Sequence, residues 1–426
     1  MIKQYTLKTF TDLVKDKQLY LYGAGKRGKM WYRCLTHRGF KISGFIDTKE
    51  VGNNIFRPAF LKSLPSLENI FICITTIDMH IKEISTKLGE YGFKRDVNYI
   101  SASQVCNAYP TIEVSGVCNL HCMSCNLGSP LKGRKGGLMS LAKYSQILDK
   151  LTTEVPIMPF LSLFLWGDPS LNPELPEIIS KSAEYGVSVD VSTNLNYDKY
   201  LEKVIAASPA CLAIPCSGIG DNYELTHTGG KWNVFEKNLY RVREYIDKYD
   251  ADTSVQVSYH LYKHNLGKDY DYVKNLVHEL GFIFKPVIAV LFPEGIFEAV
   301  AYGKPIPENM QLISKKMLYS IDEQKSYSQK GKFKNICTKV FPTIRWDGSV
   351  VSCYNMEGGK IADNYLDVSL DELKRRQNSS KLCRDCKKFN MQQLFFPDDK
   401  KELMKAVQKR GEALQKKEIL ERGNLC

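Results

Sequence analysis

The sequence predicts an α/β protein in which a small parallel-sheet domain is followed by a partial (β/α)6 barrel and then by an irregular, cysteine-rich segment. The first observation behind this prediction is that short apolar segments alternate with helical patterns from residue 18 to residue 290, which is typical of parallel sheets. The second is length, because 426 residues at ~150 per domain suggest about three domains. The third is composition: 43% hydrophobic and 25% charged residues exclude a disordered or collagen-like chain.

Residues 1–104 are predicted to form the small domain. Its expected strands are Gln18–Tyr22, Lys41–Ile46 and Asn69–Thr75. The first strand runs into a Gly-Ala-Gly-Lys-Arg-Gly loop, which has the G-x-G-x-x-G spacing and is followed by a helical pattern. This loop and the order strand–helix–strand–helix predict a Rossmann-like parallel sheet.

The glycine loop is a candidate nucleotide site. Gly23, Gly25 and Gly28 let backbone amides approach a pyrophosphate at a helix N-terminus. Asp47 ends the next strand, where an acid can bind ribose hydroxyls. We therefore expect these four residues to bind a nucleotide or a nucleotide-linked substrate. The alternative is a degenerate scaffold or docking domain.

Residues 105–301 continue the alternation at a longer period and predict the partial barrel. The six expected strands are Thr111–Ser115, Leu161–Leu165, Ser188–Ser192, Cys211–Pro215, Ser254–Tyr259 and Phe284–Val290. Near-continuous apolar strands fit burial on both faces of a parallel sheet. In such folds the chemistry lies at the carboxyl ends of the strands, so the residues that follow each strand are the functional candidates.

The start of the chain and its apolar runs predict a cytoplasmic protein without a membrane span. The first residues contain no apolar signal-peptide region. The longest apolar run, from Val155 to Trp166, contains two prolines and is shorter than the ~20 residues that a bilayer needs. In this setting the grouped members of the 13 cysteines indicate metal or redox chemistry rather than disulfides.

Three cysteines follow the first barrel strand directly. Cys118, Cys122 and Cys125 are separated by three and two residues, and they can converge only if their loop wraps around something compact. Three thiolates rather than four suit a [4Fe–4S] cluster with one open iron. The alternatives are a zinc site completed by His121 or a distant residue, and thiols without a metal.

This triplet, at this place, resembles that of the radical S-adenosylmethionine (SAM) superfamily. The segment WGDP at positions 166–169, which ends the second strand, looks like the family's Gly-Gly-Glu-Pro turn that receives the methionine ammonium of SAM. The segment STN at positions 192–194 is similar to the family's stretch beside the SAM ribose and carboxylate. The sequence departs from the family at Trp166, at Asp168 and at Ser124, where an aromatic residue often covers the adenine.

The resemblance implies a cofactor set and a reaction. It implies that Gly167, Asp168, Ser192 and Asn194 contact SAM, while Asp168 also fits a turn or helix N-cap position before a proline. It further implies that one electron from the cluster, supplied by a low-potential donor such as flavodoxin or ferredoxin, cleaves SAM to a 5′-deoxyadenosyl radical. This radical abstracts hydrogen from an unactivated carbon, while the protein positions SAM and excludes water.

Four more cysteines lie in residues 302–396. Cys337, Cys353, Cys383 and Cys386 resemble the ligands of the SPASM/twitch extensions of radical SAM enzymes, and they fit one auxiliary [4Fe–4S] cluster. Taken alone, two separated pairs also fit a zinc ribbon with four thiolate ligands. Residues 397–426 are rich in Lys and Glu, with apolar residues at helical spacing, and they predict a C-terminal surface helix.

A further cysteine is a candidate for the chemistry itself. Cys216 ends the fourth barrel strand and belongs to neither cluster set. An epimerase must return a hydrogen atom to the substrate radical, and a thiol does this well, so Cys216 is the expected donor and Cys211 its competitor. The alternative is that Cys216 is a small buried hydrophobic residue.

The motifs together favour a radical SAM oxidoreductase of the epimerase or dehydrogenase type. Its expected substrate is a small polar, carbohydrate-type molecule, either free or linked to a nucleotide. A peptide-modifying maturase would use the same cofactors. An alternative of another class is a zinc-stabilised nucleic-acid-binding protein, but the lysines behind the net charge of +12 are spread along the chain, so nucleic acid is not an expected partner.

Overall fold

A computed structural model describes most of the chain. The described residues are 3–76, 78–106, 108–122, 124–125, 136–289, 297, 299, 301–306, 308–320, 322–323, 326, 341–353, 359–389 and 409. Cys337 and nearly all of the predicted C-terminal helix lie outside them. Within the described residues, no helix is long and apolar enough to cross a membrane.

The chain separates into two compact units. The first contains Met1–Tyr109, Ser145–Leu161 and Ser180–Val189, and the second contains Pro110–Tyr144, Ser162–Ile179 and Asp190–Cys426. The first unit thus includes two later stretches of chain in addition to the predicted small domain.

The first unit holds a five-stranded sheet. Its strands are β1 (Gln18–Tyr22), β2 (Ile42–Ile46), β3 (Ile55–Phe56), β4 (Ile70–Ile74) and β5 (Tyr99–Ser101). All neighbours pair in parallel in the order β3-β2-β1-β4-β5, so the order reverses beside β1. The helices are α1 (Leu7–Val14), α2 (Lys26–His37) and α3 (Asp78–Glu90). The predicted strands are present, and the two short edge strands β3 and β5 are additional.

Both faces of this sheet are buried. Leu19 and Leu21 of β1 pack into one apolar cluster together with Trp31, whereas Tyr20 and Tyr22 pack into a second cluster on the other face. This is why β1 reads as a continuous apolar run rather than as an alternating one. The burial places the loop after β1 at the carboxyl edge of a covered parallel sheet.

A second five-stranded sheet corresponds to the predicted barrel. Its strands are β6 (Phe160–Ser162), β7 (Ser188–Ser192), β8 (Cys211–Cys216), β9 (Ser254–Leu261) and β10 (Ile283–Ile288), in the order β10-β9-β8-β7-β6. Thr111 adds a single parallel bridge to Ser162, so the first predicted strand takes the sixth position but is only one residue wide. The predicted α/β class with parallel sheets is confirmed.

Helices alternate with these strands, as the sequence predicted. They are α4 (Leu141–Glu154), α5 (Leu175–Glu184), α6 (Leu201–Ala206), α7 (Gly220–Thr226), α8 (Trp232–Tyr249) and α9 (Lys268–Glu279), followed by α10 (Glu308–Lys316). Side chains along β8 and β9 alternate strictly between buried and partly exposed positions. One face of these strands therefore packs into the core, and the other face is accessible.

The described C-terminal part is small and irregular, as expected. A three-stranded antiparallel sheet contains β11 (Thr343–Ile344), β12 (Val350–Val351) and β13 (Lys360–Ala362). It is followed by α11 (Leu370–Ser379) and α12 (Lys381–Lys388), which are N-capped by the side chains of Ser369 and Ser380.

Candidate active site

A cavity of about 280 Å³ lies at the carboxyl ends of the strands of the second sheet. It is enclosed by the segments that follow successive strands, which is where a parallel sheet presents its reactive groups. One wall, the thiol wall, consists of Cys118, Cys122, Cys125, Gly167, Asp168, Ser192, Thr193 and Asn194. A second set, the imidazole wall, consists of Ser217, Thr226, His227 and His260. Aromatic side chains of Phe164, Trp166 and Tyr262 also line the cavity.

The structure brings the three predicted cluster cysteines to this cavity. The Cys118 sulfur accepts a hydrogen bond from the Leu120 backbone amide (3.4 Å) and another from the Asn194 side-chain amide (3.6 Å). Burial raises the pKa of Cys118 to about 12, and burial together with the neighbouring thiols raises that of Cys122. Ionised thiols at this place therefore require a positive partner, and coordination to a metal centre supplies one.

The arrangement of the donors bears on the kind of centre. Among the described residues, no three His, Cys, Asp or Glu side chains are grouped so as to hold one metal ion. The three thiols line one cavity, and three thiolate ligands suit a [4Fe–4S] cluster with one open iron. His121, the sequence-based fourth zinc ligand, has an exposed side chain and does not line the cavity.

Gly167 is held where only glycine fits. A Cβ atom at this position would lie 2.0 Å from the Ser115 carbonyl oxygen and 2.7 Å from that of Val117. The backbone of the turn after β6 therefore packs directly against the segment that leads into the cysteine loop. The Asp168 backbone amide donates to the Val117 carbonyl at 2.9 Å and fixes this approach.

The Asp168 carboxylate is fully occupied by protein donors. Its Oδ1 accepts from the amide (2.9 Å) and hydroxyl (2.6 Å) of Ser170, and its Oδ2 accepts from the Asn194 amide (2.8 Å) and the Thr193 hydroxyl (3.2 Å). These four bonds use all the lone-pair positions of a carboxylate. Burial raises the pKa of Asp168, and the hydrogen bonds oppose that shift.

Asp168 thus joins the turn after β6 to the end of β7. It also N-caps the short 3₁₀ helix Pro169–Leu171, the alternative that the sequence left open. Protein donors therefore surround both oxygens of this carboxylate, which leaves it little capacity for a further ligand.

The segment after β7 links the predicted SAM residues to the cysteine loop. Ser192 and Asn194 both line the cavity. The Asn194 side-chain amide donates to Asn119 Oδ1 (2.9 Å) as well as to the Cys118 sulfur, and Asn119 donates to the Asn196 carbonyl (3.2 Å). The sequence missed the buried Thr193, whose hydroxyl-bearing side chain between two predicted site residues was the available signal.

Cys216, the predicted hydrogen-atom donor, is not among the residues that line the cavity. Its side chain is fully buried and its thiol donates to the Gly218 carbonyl at 3.6 Å, while the adjacent Pro215 and Ser217 line the cavity. The reason is the two-residue period of a strand, which turns alternate side chains to opposite faces. The competing donor, Cys211, begins β8 and so lies at the opposite end of the strand from the cavity.

The sequence also missed the imidazole wall. His260 lies on the accessible face of β9, on which Gln256 and Ser258 precede it at two-residue intervals. The intervening positions, such as Val257 and Tyr259, are buried. A polar stripe that alternates with apolar residues along a strand is a readable signal for residues that face a cavity.

In the first unit, the glycine loop has the predicted conformation. α2 begins at Lys26, and Gly23 has a φ of +115°, which favours glycine. A Cβ at Gly28 would lie 1.8 Å from the Gly23 carbonyl oxygen, whereas a Cβ at Gly25 would meet nothing within 4 Å. Asp47 accepts from the Ala24 amide through Oδ2 (2.8 Å), so part of the carboxylate holds the loop itself.

Three of the four predicted auxiliary-cluster cysteines are described. Cys383 and Cys386 lie on α12, three residues apart and hence on one side of the helix. The Cys383 amide is capped by the Ser380 hydroxyl at 3.1 Å. Cys353 follows β12, and Cys337 lies outside the described residues.

No protein-family model and no curated protein sequence matches this chain. Solved structures similar to it include anSMEcpe with bound AdoMet, at 16% identity and a TM-score of 0.43 over 65% of this chain and 79% of that chain. BtrN in complex with AdoMet and 2-DOIA matches at 13% identity and a TM-score of 0.36, over 65% and 85%. SuiB of Streptococcus suis bound to S-adenosylmethionine matches at 13% identity and a TM-score of 0.42, over 68% and 75%. All three of these structures contain bound AdoMet, that is, S-adenosylmethionine.

Proposed function

We propose that this chain is a radical SAM enzyme whose Cys118, Cys122 and Cys125 hold a [4Fe–4S] cluster. The observation that carries the proposal is that these three thiols share one cavity with the Gly167–Asp168 turn and with Asn194. When bound, the cluster and SAM supply one-electron cleavage of SAM and the hydrogen-atom abstraction that follows.

The chain's own residues hold and shield that centre. Hydrogen bonds from the Leu120 amide and Asn194 to the Cys118 sulfur stabilise its thiolate form. Asp168 fixes the turn so that backbone groups at Gly167 and Asp168, rather than the carboxylate, face SAM. Phe164 and Trp166 give the cavity apolar surface that excludes water.

Of the two reaction types, the dehydrogenase type is the one we propose. Among the described residues that line the cavity, the thiols are those of the cysteine triplet alone. An epimerase would need a further hydrogen-atom donor, and Cys216 points to the opposite face of its strand. In a dehydrogenase, an auxiliary cluster held by Cys337, Cys353, Cys383 and Cys386 would accept the substrate's second electron.

We propose that the substrate is a small, carbohydrate-type molecule. The glycine loop with Asp47 is the proposed contact for a nucleotide linked to it. A flavodoxin or ferredoxin supplies the first electron, and the protein is cytoplasmic. The domains are residues 1–104, 105–301, 302–396 and 397–426.

Iron content and SAM cleavage after anaerobic reconstitution test this function. We expect about eight irons per chain, and about four once Cys118, Cys122 and Cys125 are all replaced by Ala, since each [4Fe–4S] cluster contains four. Dithionite-driven formation of 5′-deoxyadenosine should be lost in the triple variant. Cys216→Ala and Cys211→Ala are matched controls and should retain both iron and cleavage. Unchanged iron in the triple variant would exclude the cluster assignment.

A further inference from the structure

Three residues of the imidazole wall, Ser217, Thr226 and His227, form a hydrogen-bonded relay beside the cavity. His227 Nδ1 lies 3.0 Å from the Ser217 hydroxyl and 3.3 Å from the Thr226 hydroxyl, and these two hydroxyls are hydrogen-bonded to each other. The Thr226 hydroxyl lies 3.1 Å from the Tyr223 carbonyl, to which it donates. All three relay side chains are buried and line the cavity.

One arrangement of protons leaves none of these groups without a hydrogen bond. Because a carbonyl can only accept, Thr226 donates to Tyr223, and Ser217 then donates to Thr226. The Ser217 and Thr226 oxygens are left to accept from His227, so Nδ1 carries a proton that the two oxygens share. If Nδ1 accepted instead, the Ser217–Thr226 contact or the Thr226–Tyr223 contact would have no hydrogen. His227 is therefore the Nδ1–H tautomer, and its Nε2 has a free lone pair.

The ring of His227 is also fixed in orientation. It stacks on Tyr223 with ring centroids 4.5 Å apart and planes 3° apart. The Tyr223 hydroxyl accepts from the Asn196 side-chain amide (2.7 Å) and lies 3.3 Å from the Asn194 carbonyl, which anchors the stack to the thiol wall. An imidazole held by stacking and by Nδ1 presents Nε2 in one direction.

His260 contributes a second imidazole to the same wall. Burial lowers the pKa of His227 to about 3, with a further contribution from His260, and burial lowers that of His260 to about 4. Both rings are consequently neutral near pH 7. Among the described lining residues none is Lys or Arg, whereas Asp168 and three thiols are present. An anionic group placed here would find no cationic side chain among the described lining residues.

Resting on the proposed function, we infer that His227 and His260 bind the hydroxyl groups of a polyhydroxylated substrate ring that carries no carboxylate or phosphate at its buried end. The Nε2 atom of His227 accepts a hydrogen bond from one hydroxyl. Ser217 and Thr226 are positioning residues, because they set the tautomer that makes Nε2 an acceptor. Substrate hydroxyls and the ribose hydroxyls of SAM share this chemistry, and the experiment separates them.

The experiment measures binding of D-glucose, myo-inositol and D-glucuronate to SAM-loaded, reconstituted enzyme by equilibrium dialysis. We expect the wild type to bind at least one of the two uncharged polyols and to bind it in preference to glucuronate. His227→Phe keeps the stacking but removes the acceptor, so this variant and His260→Phe should lose at least about tenfold in polyol affinity, the factor for one hydrogen bond. His227→Gln, with an acceptor near the same place, should recover most of the affinity. The exposed His278 provides a matched control as His278→Phe.

Several outcomes would overturn the inference. Polyol affinity that is unchanged in both Phe variants would remove the role, and so would a wild type that binds neither polyol or binds glucuronate equally well. A tenfold loss of SAM affinity in the variants would assign the wall to the SAM ribose instead. Iron content and 5′-deoxyadenosine formation in the same wild-type preparation report separately on the proposed function.

A second measurement does not depend on any substrate. In enzyme labelled with ¹⁵N-histidine, nitrogen chemical shifts should identify His227 as the Nδ1–H tautomer, and Ser217→Ala should abolish that preference while Ser217→Thr retains it. A merely structural role for Ser217 would leave the tautomer unchanged. Observation of the Nε2–H tautomer in the wild type would overturn the assignment of Nε2 as an acceptor.

Discussion

Each unit contains an acidic residue at the carboxyl edge of a parallel sheet, close to glycines that a backbone approach requires. In the first unit Asp47 accepts from the amides of Ala24, Lys49 and Glu50, and backbone amides including that of Thr48 lower its pKa against the effect of burial. In the second unit Asp168 is 4% exposed and all four lone pairs are used. The two acids look alike in sequence, but Asp47 is half-buried whereas Asp168 is buried and also bonded by two hydroxyls.

The difference in burial and hydrogen bonding indicates what the acid at the end of a strand does in each unit. Asp47 is half-buried and is bonded by backbone amides alone, so water or a ligand can share it. Asp168 joins two strand-end segments in a buried network that includes two hydroxyls, and its loss would leave several donors without partners. Asp47 therefore holds the glycine loop and stays partly exposed, whereas Asp168 stabilises the two segments that form the cavity.

The glycines beside these acids should show the largest effect. Gly167→Ala and Gly28→Ala each force a Cβ to within about 2 Å of a backbone carbonyl oxygen, which the backbone must move to relieve. We expect each to lower the free energy of unfolding by roughly 3 kcal/mol or more. Urea denaturation followed by circular dichroism measures the loss.

A matched control is present in α3. A Cβ added at Gly89 would meet nothing within 4 Å, so Gly89→Ala should leave stability unchanged or raise it by up to about 1 kcal/mol. A loss at Gly167 no larger than that at Gly89 would mean that the turn after β6 does not press on Ser115 as described.

Substitutions of Asp168 and Asp47 should change the free energy of unfolding by less than the substitutions of Gly167 and Gly28. In Asp168→Asn an amide group replaces one acceptor oxygen, and two buried donors lose their partner, so the loss should be about 3 kcal/mol. In Asp47→Asn a single amide donor loses its partner and water can replace it, so about 1 kcal/mol is expected. Thermal and urea denaturation of both variants under the same conditions test the contrast. Equal losses of unfolding free energy in the two variants would contradict the distinction between a half-buried Asp47 and a buried Asp168.

Local patterns were sufficient to predict much of this molecule. The apolar runs of β1 and β4 and the alternation of strands with helices predicted the parallel sheets, because burial on both faces demands such runs. The cysteine spacing and the glycine at 167 identified the thiol wall, since both depend on short stretches of chain. β3 and β5 were missed because they are two and three residues long.

Other features depend on which way a side chain points and on distant partners. Cys216 was assigned to the site from its place at the strand end, but its neighbours Pro215 and Ser217 occupy the face that lines the cavity. The saturation of Asp168 depends on Thr193 and Asn194, which are 25 and 26 residues away along the chain. No local pattern reports such bonds, and a motif match therefore names a residue without showing which of its atoms is available.

The smallest expected effect on stability is that of substitutions at Gly25. The same substitutions test whether the glycine loop with Asp47 binds a nucleotide. Gly25 has an ordinary φ of −64° and free space around a Cβ, so the fold does not require glycine there. Gly25→Val should cost under about 1 kcal/mol, and Gly25→Ser still less, because serine is a good N-cap for α2. If the loop binds a pyrophosphate, however, valine fills the space that the ligand needs, and calorimetric titration of the full-length protein with nucleotides and nucleotide sugars should show binding by the wild type and none by Gly25→Val. Stable Gly25→Val protein without binding would assign the glycine to a ligand rather than to the fold. A wild type that binds none of these ligands would instead favour the scaffold interpretation of the first unit, in which Asp47 only holds the loop through backbone amides.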